Sequence, residues 1–115
     1  MGTNIEVWYL DSVSVNDTVN NIDLLINGGF DTGDFTGWQQ MCNNDTVCGT
    51  ASYAQVVSSS CYSGSNCCAD KCGNRNGYDY LFQSFATIIG DYYVLSFYLK
   101  LSSSSTNLVA YVTLT

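Results

Sequence analysis

The fold turns on residues 5–17, IEVWYLDSVSVND. Ile5, Val7, Tyr9, Val13 and Val15 recur at every second position, which puts an apolar row on one face of an extended strand, with Asp11 breaking the row. The same period of two runs through YVLSFYLKL at 93–101. There Tyr93, Leu95, Phe97, Leu99 and Leu101 share one face, and Ser96, Tyr98 and Lys100 the other. NLVAYVTL at 107–114 reads as the partner of that strand across the loop at 102–106. DYLFQSFATI at 79–88 is aromatic and β-branched, and Gly90 and Asp91 make the turn that follows it. SYAQVVSSS at 52–60 and NCCADKC at 66–72 read as two further strands joined by a turn at 62–65. No window shows an apolar stripe at helical spacing, and Glu, Lys and Arg are scarce, so the expected fold is an all-β antiparallel sandwich.

With 115 residues the chain makes one domain, able to bury roughly two-thirds of its unfolded surface. Ten carboxylates against Lys71, Arg75 and Lys100 leave a net charge of −7, which repels nucleic acid and anionic membrane surfaces alike. Only 11% of residues are charged, so the surface must be mostly neutral and hydrogen-bonding. That surface suits sugars or further copies of the chain. Proline is absent, which removes one safeguard against pairing between exposed strand edges, and low charge weakens another.

Six cysteines and no histidine favour disulfides over zinc, because the paired knuckles of Cys/His zinc sites are missing. Cys42 and Cys48 flank one short loop, Cys61 and Cys67 another, and Cys68 and Cys72 a third. Sequence does not choose among the fifteen pairings of six cysteines. Geometry narrows them a little. In an extended segment Cys68 and Cys72 stand roughly 13 Å apart, beyond the ~7 Å reach of a disulfide. Cys67 and Cys68 face opposite ways, which suits one bond across the hairpin and one to the 42–48 loop. Disulfides imply a secreted, extracellular protein, and the sequons at Asn16 and Asn44 agree with glycosylation on that route. No apolar run has the length of a signal peptide core or membrane span, so the chain reads as a mature portion of a longer precursor.

Catalysis finds no footing in the sequence. There is no histidine base or partner for a cysteine nucleophile, no nucleophile elbow and no phosphate loop. Asp31 and Asp34 sit in one turn, where a glycosidase needs two carboxyls facing across a cleft. Adjacent carboxylates in one loop are commonplace, and these two read as residues that shape the FDTGD turns. Candidate sugar platforms are Trp38, Tyr62, Tyr78 and Tyr80, aromatic residues in or near loops, with Gln39, Gln40, Asn76 and Asp79 close by in sequence.

LLINGGFDTGDFTGW at 24–38 resembles the opening of the carbohydrate-binding modules of the CenC-like group, jelly-roll β-sandwiches related to galactose-binding domains, whose pattern is NxGFExGxxxGW. YLFQSFATIIGDYYVLSFYLK at 80–100 looks like their central strands, and WYLDSVSV at 8–15 resembles their closing strand, yiDDVSV. The cysteine-rich segment 42–72 departs from most of the group. The resemblance implies a structural calcium held by Asp31 and Asp11, with backbone carbonyls around residues 27–29; the second Asp of the closing pair is Ser12 here. It also places Trp38 at a position that is usually packed.

In that group the opening comes first and the closing strand last. Here the closing strand comes first. Residues 1–17 therefore read as a linking strand and 18–115 as the sandwich module. The strand either folds back to complete its own sandwich or completes a neighbouring unit by strand addition, and head-to-tail donation builds filaments. The expected function is a non-catalytic extracellular structural module, a repeat or protomer of a fibre or surface protein associating with copies of itself. The alternative is a carbohydrate-binding module for neutral glycans. Neither implies an organic cofactor, nucleic acid or membrane insertion.

Overall fold

The computed structural model describes residues 8–42, 54–70, 79–101 and 112–113, except the side chains of Met41, Cys42 and Asp79, and every structural statement below concerns these residues. They form seven strands: β1 (Trp8–Asp17), β2 (Ile22–Asp23), β3 (Gln39–Cys42), β4 (Gln55–Val57), β5 (Cys67–Asp70), β6 (Asp79–Phe82) and β7 (Tyr93–Leu101). All pairings are antiparallel, and no described segment is helical. The all-β expectation holds because period-two apolar residues and closely spaced turn residues leave a helix no face to bury. β4 and β5 form the hairpin expected around residues 62–65, and Gly64 takes the left-handed conformation there. Gly90 does the same in the turn before β7, where the Asp91 amide donates to the Ile88 carbonyl. Residues 79–88, read as one strand, are extended in ladder geometry only over β6.

β1 is the centre of the larger sheet. β7 pairs along one edge from Trp8 to Asp17, while β5 pairs with the first part of the other edge and β2 with its last two residues. β4 lies beyond β5. β3 and β6 form a separate two-stranded sheet.

A bulge in β1 decides which residues face the core. Asp11 pairs with Tyr98 and Ser14 with Ser96, so β1 carries one more residue than β7 across this interval, and Ser12 takes φ +52° to accommodate it. Inserting one residue reverses the facing of everything beyond it. Leu10 pairs with Leu99 and Cys68 on the core face before the bulge; Val15 pairs with Leu95 on that same face after it. Tyr9 and Asp11, paired with Lys100 and Tyr98, lie on the other face. The single apolar row expected for Tyr9, Val13 and Val15 is thus corrected: the bulge sends Tyr9 to the side away from the core.

Phe30 is wholly buried in the core with Val13, Ala54 and Cys68, flanked by Leu10, Leu25, Phe35, Trp38, Val56, Leu81 and Leu95. Leu81 comes from the small sheet, and Gln40 on β3 reaches across to donate to the Ala54 carbonyl at 2.8 Å. Phe30 stacks on Trp38 with ring centres 5.6 Å apart and meets Phe35 edge-on at 6.0 Å. Asn27 braces the turn that delivers these rings. Its Nδ2 donates to the carbonyls of Asp34 and Thr36, its Oδ1 accepts the Thr32 amide, and its carbonyl accepts Trp38 Nε1 at 2.9 Å.

One expectation changes. On β7, Tyr93 and Leu95 are half-buried, but Phe97, Leu99 and Leu101 remain 38%, 45% and 44% exposed, so the apolar row is covered only where the core reaches it. The described residues show two antiparallel sheets. The expected strand at 107–114 lies mostly outside them. The N-terminal strand pairs within its own chain along its full described length.

Candidate functional site

The side of β1 turned away from the core carries the site. Cys67 is fully buried on β5, and its disulfide to Cys61 closes the end of the β4–β5 connection with a Cα separation of 5.4 Å. Closing the loop presses its tip onto the bulge. The Ser63 amide donates to Asp11 Oδ2 at 2.9 Å, the Ser12 amide to Asp11 Oδ1 at 2.7 Å, and the Ser12 and Ser63 hydroxyls share a hydrogen bond at 3.1 Å. Asp11 is only 2% exposed as a result, although it lies outside the core. A buried carboxylate is tolerated when charge-assisted hydrogen bonds replace its water, and two backbone amides do so here.

Tyr62, on the same loop, lies flat on Tyr98 of β7, with ring centres 3.5 Å apart and planes 11° from parallel. The pair is open to solvent, 62% and 48% exposed. The hydrogen bond with Tyr98, then its charge, then burial raise the Tyr62 phenol above its ordinary value. Beside them, Lys100 Nζ stands 5.8 Å above the Tyr9 ring, and Tyr9 and Lys100 face each other across the β1–β7 ladder.

Asp31 meets the same loop at the residue after Ser63. A Cβ on Gly64 would lie 2.9 Å from Asp31 Oδ1, and Asn66 Nδ2 donates to the Asp31 carbonyl at 3.5 Å. Asp11 and Asp31 thus touch neighbouring residues of one disulfide-closed loop. Their circumstances differ, since both oxygens of Asp11 already accept amide protons while the Asp31 carboxylate is exposed. A calcium between them would share the Asp11 oxygens with the Ser12 and Ser63 amides. Among the described residues no three His, Cys, Asp or Glu side chains are grouped to hold a metal.

Asp34 shapes its turn. Its Oδ1 accepts from the Thr36 hydroxyl, the Thr36 amide at 2.9 Å and the Thr32 hydroxyl at 2.7 Å, and these bonds, those from Thr36 foremost, hold its carboxyl below the ordinary aspartate value. Trp38 is half-buried against Phe30 and contributes packing. Tyr80 is 49% exposed on β6 of the small sheet, whereas Tyr62 sits on the loop between β4 and β5 of the larger one. Asn16 of the first sequon is half-buried in β1, between Asp23 of β2 and Val94 of β7, and the hydroxyl of its Thr18 donates to the Tyr92 carbonyl at 2.8 Å. Asn44, Cys48, Cys72 and Tyr78 lie outside the described residues, as does the side chain of Cys42. Cys68 is buried in the core.

The structure therefore joins Asp11, Asp31, Tyr62 and the 61–67 disulfide, and leaves Trp38 and Tyr80 elsewhere. Sequence reasoning missed Tyr98, Ser12 and Ser63. Tyr98 was legible only as a residue on the polar face of its strand, since nothing local shows that a loop more than thirty residues earlier will stack on it. Comparison of the chain with protein-family models, curated proteins and solved structures finds no match. The resemblance to carbohydrate-binding modules accordingly rests on the motifs quoted above.

Proposed function

We propose that the protein is a non-catalytic extracellular structural module, a repeat or protomer whose N-terminal strand connects or completes neighbouring units. The observation that carries this reading is the position of β1. It is the hub of the larger sheet, with ladders to β2, β5 and β7. A strand at the hub of its sheet, pairing with residues more than seventy positions away, can be supplied by the same chain or by another copy in one register. The Cys61–Cys67 disulfide supports an oxidising, extracellular setting. The exposed Phe97, Leu99 and Leu101 offer an apolar row beside the exchanged strand.

Ser14 and Ser96 are direct partners in the ladder, close enough for a disulfide between their cysteine variants. The double variant Ser14→Cys with Ser96→Cys, concentrated and then oxidised, should give a ladder of covalent multimers on a non-reducing gel. A product crosslinked only within single chains, at every concentration, would sink the reading.

A second reading, a carbohydrate-binding module, is favoured by the exposed Tyr62–Tyr98 stack beside Ser12, Ser63, Asn66 and Asp31. A glycan array with and without calcium tests it, and binding lost on Tyr62→Ala would support it. The structural calcium belongs to both readings. It is tested by thermal unfolding with calcium and with chelator, since a bound ion raises the midpoint in a concentration-dependent way.

A further inference from the structure

We infer that Asp17, Asn20 and Asp91 form a proton-operated latch that holds the end of the N-terminal strand against the start of β7. Asn20 Nδ2 donates to Asp17 Oδ2 at 3.0 Å and to Asp91 Oδ2 at 3.3 Å, so one amide gathers a carboxyl group from the end of β1 and another from the turn before β7. Asp17 is the last residue of β1, only 3% exposed, and its Oδ1 also accepts the amides of Val19 at 2.9 Å and Asn20 at 3.2 Å. Asp91 is half-buried in the turn that opens β7. Next to them the Thr18 amide and hydroxyl both donate to the Tyr92 carbonyl, at 2.9 and 2.8 Å, where β1 leaves β7. The latch spans the place at which the strand would detach.

The surrounding groups leave the pair without a counter-charge. From β2 the nearest carboxyl is Asp23, whose Oδ1 accepts the amides of Val15 and Leu25. From β7 comes Tyr93, Asp17's ladder partner, whose hydroxyl accepts the Ile88 amide at 2.6 Å. The 18–21 turn contributes no ionisable side chain, and Tyr92 is the other titratable group of the 88–92 turn. Lys100 is the only cation among the described residues, and it lies at the far end of β7 over Tyr9.

Two carboxylates so placed repel when both are ionised, and share a proton readily when one is not. The directions agree. Burial, then the hydrogen bond and charge of Asp17, raise Asp91 above the ordinary value. Burial alone would raise Asp17 too, but the hydrogen bonds from Asn20 and Val19 and the one with Asp91 outweigh it and lower the group. Asp91 therefore contributes stability that is full below the ordinary aspartate range and is lost as pH rises through its raised folded value. Asp17 contributes stability present above that range and lost as pH falls. The latch is tightest near the ordinary aspartate value, about pH 4, and slackens as pH rises through the raised value of Asp91. Only its consequence for exchange between copies rests on the structural-module reading.

The Thr18 amide reports on the junction directly. Its hydrogen-exchange protection, corrected for the intrinsic rate and measured in chelator so that no cation bridges the pair, should fall in the intact chain as pH rises from the ordinary aspartate value, about 4, through the raised value of Asp91. In Asp91→Asn, where an amide replaces the proton-binding group, it should stay level. An equal fall in both proteins overturns the latch, whether or not the protein forms multimers. Should the variant not fold, carboxyl-carbon NMR titration of the unmodified chain serves instead. One aspartate titrating above the ordinary range and its partner below, each sensing the other, supports the latch; two independent ordinary titrations overturn it.

Discussion

The backbone of Val13 runs directly over the α-carbon of Gly28. The Val13 amide donates to the Gly28 carbonyl at 3.0 Å, and a Cβ at residue 28 would lie 1.9 Å from the Val13 carbonyl oxygen. This contact joins the N-terminal strand to the NGGF turn. The bulge in β1 turns the backbone of Val13 towards the NGGF turn, and the missing side chain at Gly28 lets the two backbones meet. Leu24 extends the junction by donating its amide to the Val15 carbonyl at 2.8 Å.

Gly28→Ala should destabilise the protein by about 3 kcal/mol, the upper end of the usual overpacking cost, because the obstructing atom is backbone and has no alternative rotamer. Urea unfolding measures it. Gly33→Ala is the control for an open position, since nothing lies within 4 Å of a Cβ there, although its φ of +82° still adds backbone strain.

Trp38→Phe should cost about 1 kcal/mol, roughly the value of the hydrogen bond from Nε1 to the Asn27 carbonyl, while keeping most of the stacking on Phe30. Any glycan affinity should be unchanged by it, whereas Tyr62→Ala should remove that affinity. Denaturant midpoints and binding isotherms on both variants separate the packing residue from the exposed one.

Replacing both Cys61 and Cys67 by serine should cost about 2 kcal/mol by loss of the short closed loop, on the chain-entropy account of crosslinks. The tip of the loop then loosens over Asp11, whose Oδ2 depends on the Ser63 amide. Calorimetry measures the stability, and peptide mapping without reductant should recover a 61–67 linked fragment from the unmodified chain.

Asp34→Ala should lower the melting temperature near pH 7 and make little difference near pH 2. The carboxyl of Asp34 is held below its ordinary value by Thr36 and Thr32, so its contribution is present above about pH 4 and is lost as pH falls through the lowered folded value. Melting curves of the two proteins at both pH values should converge in acid. A gap of constant size across the range would show that Asp34 acts through packing alone.

Much of the architecture is legible from local pattern. The period of two in 93–101, the turn at 62–65 and the Gly90–Asp91 turn carry their own stereochemical reasons, and each appears where the residues place it. The turn around Asn27 is legible for the same reason, as short polar side chains bond to backbone within a few residues. The bulge at Ser12 is not. No glycine marks the left-handed residue, and the Asp–Ser pair reads as ordinary strand alternation with one polar interruption.

What the sequence alone determined is the class of structure: an antiparallel, helix-poor, disulfide-bearing chain with turns at particular glycines and little charge on its surface. These follow from interactions within a few residues and from composition. Tertiary structure decided the facing of Tyr9 and Asp11, the choice of Cys61 for Cys67, the stacking of Tyr62 on Tyr98 and the meeting of Asp17 with Asp91 through Asn20. Each of these depends on where a whole strand lands once the core around Phe30 has closed. A single inserted residue in β1 then turns an aspartate that looked like a flaw in an apolar row into the buried anchor of a loop fifty residues away.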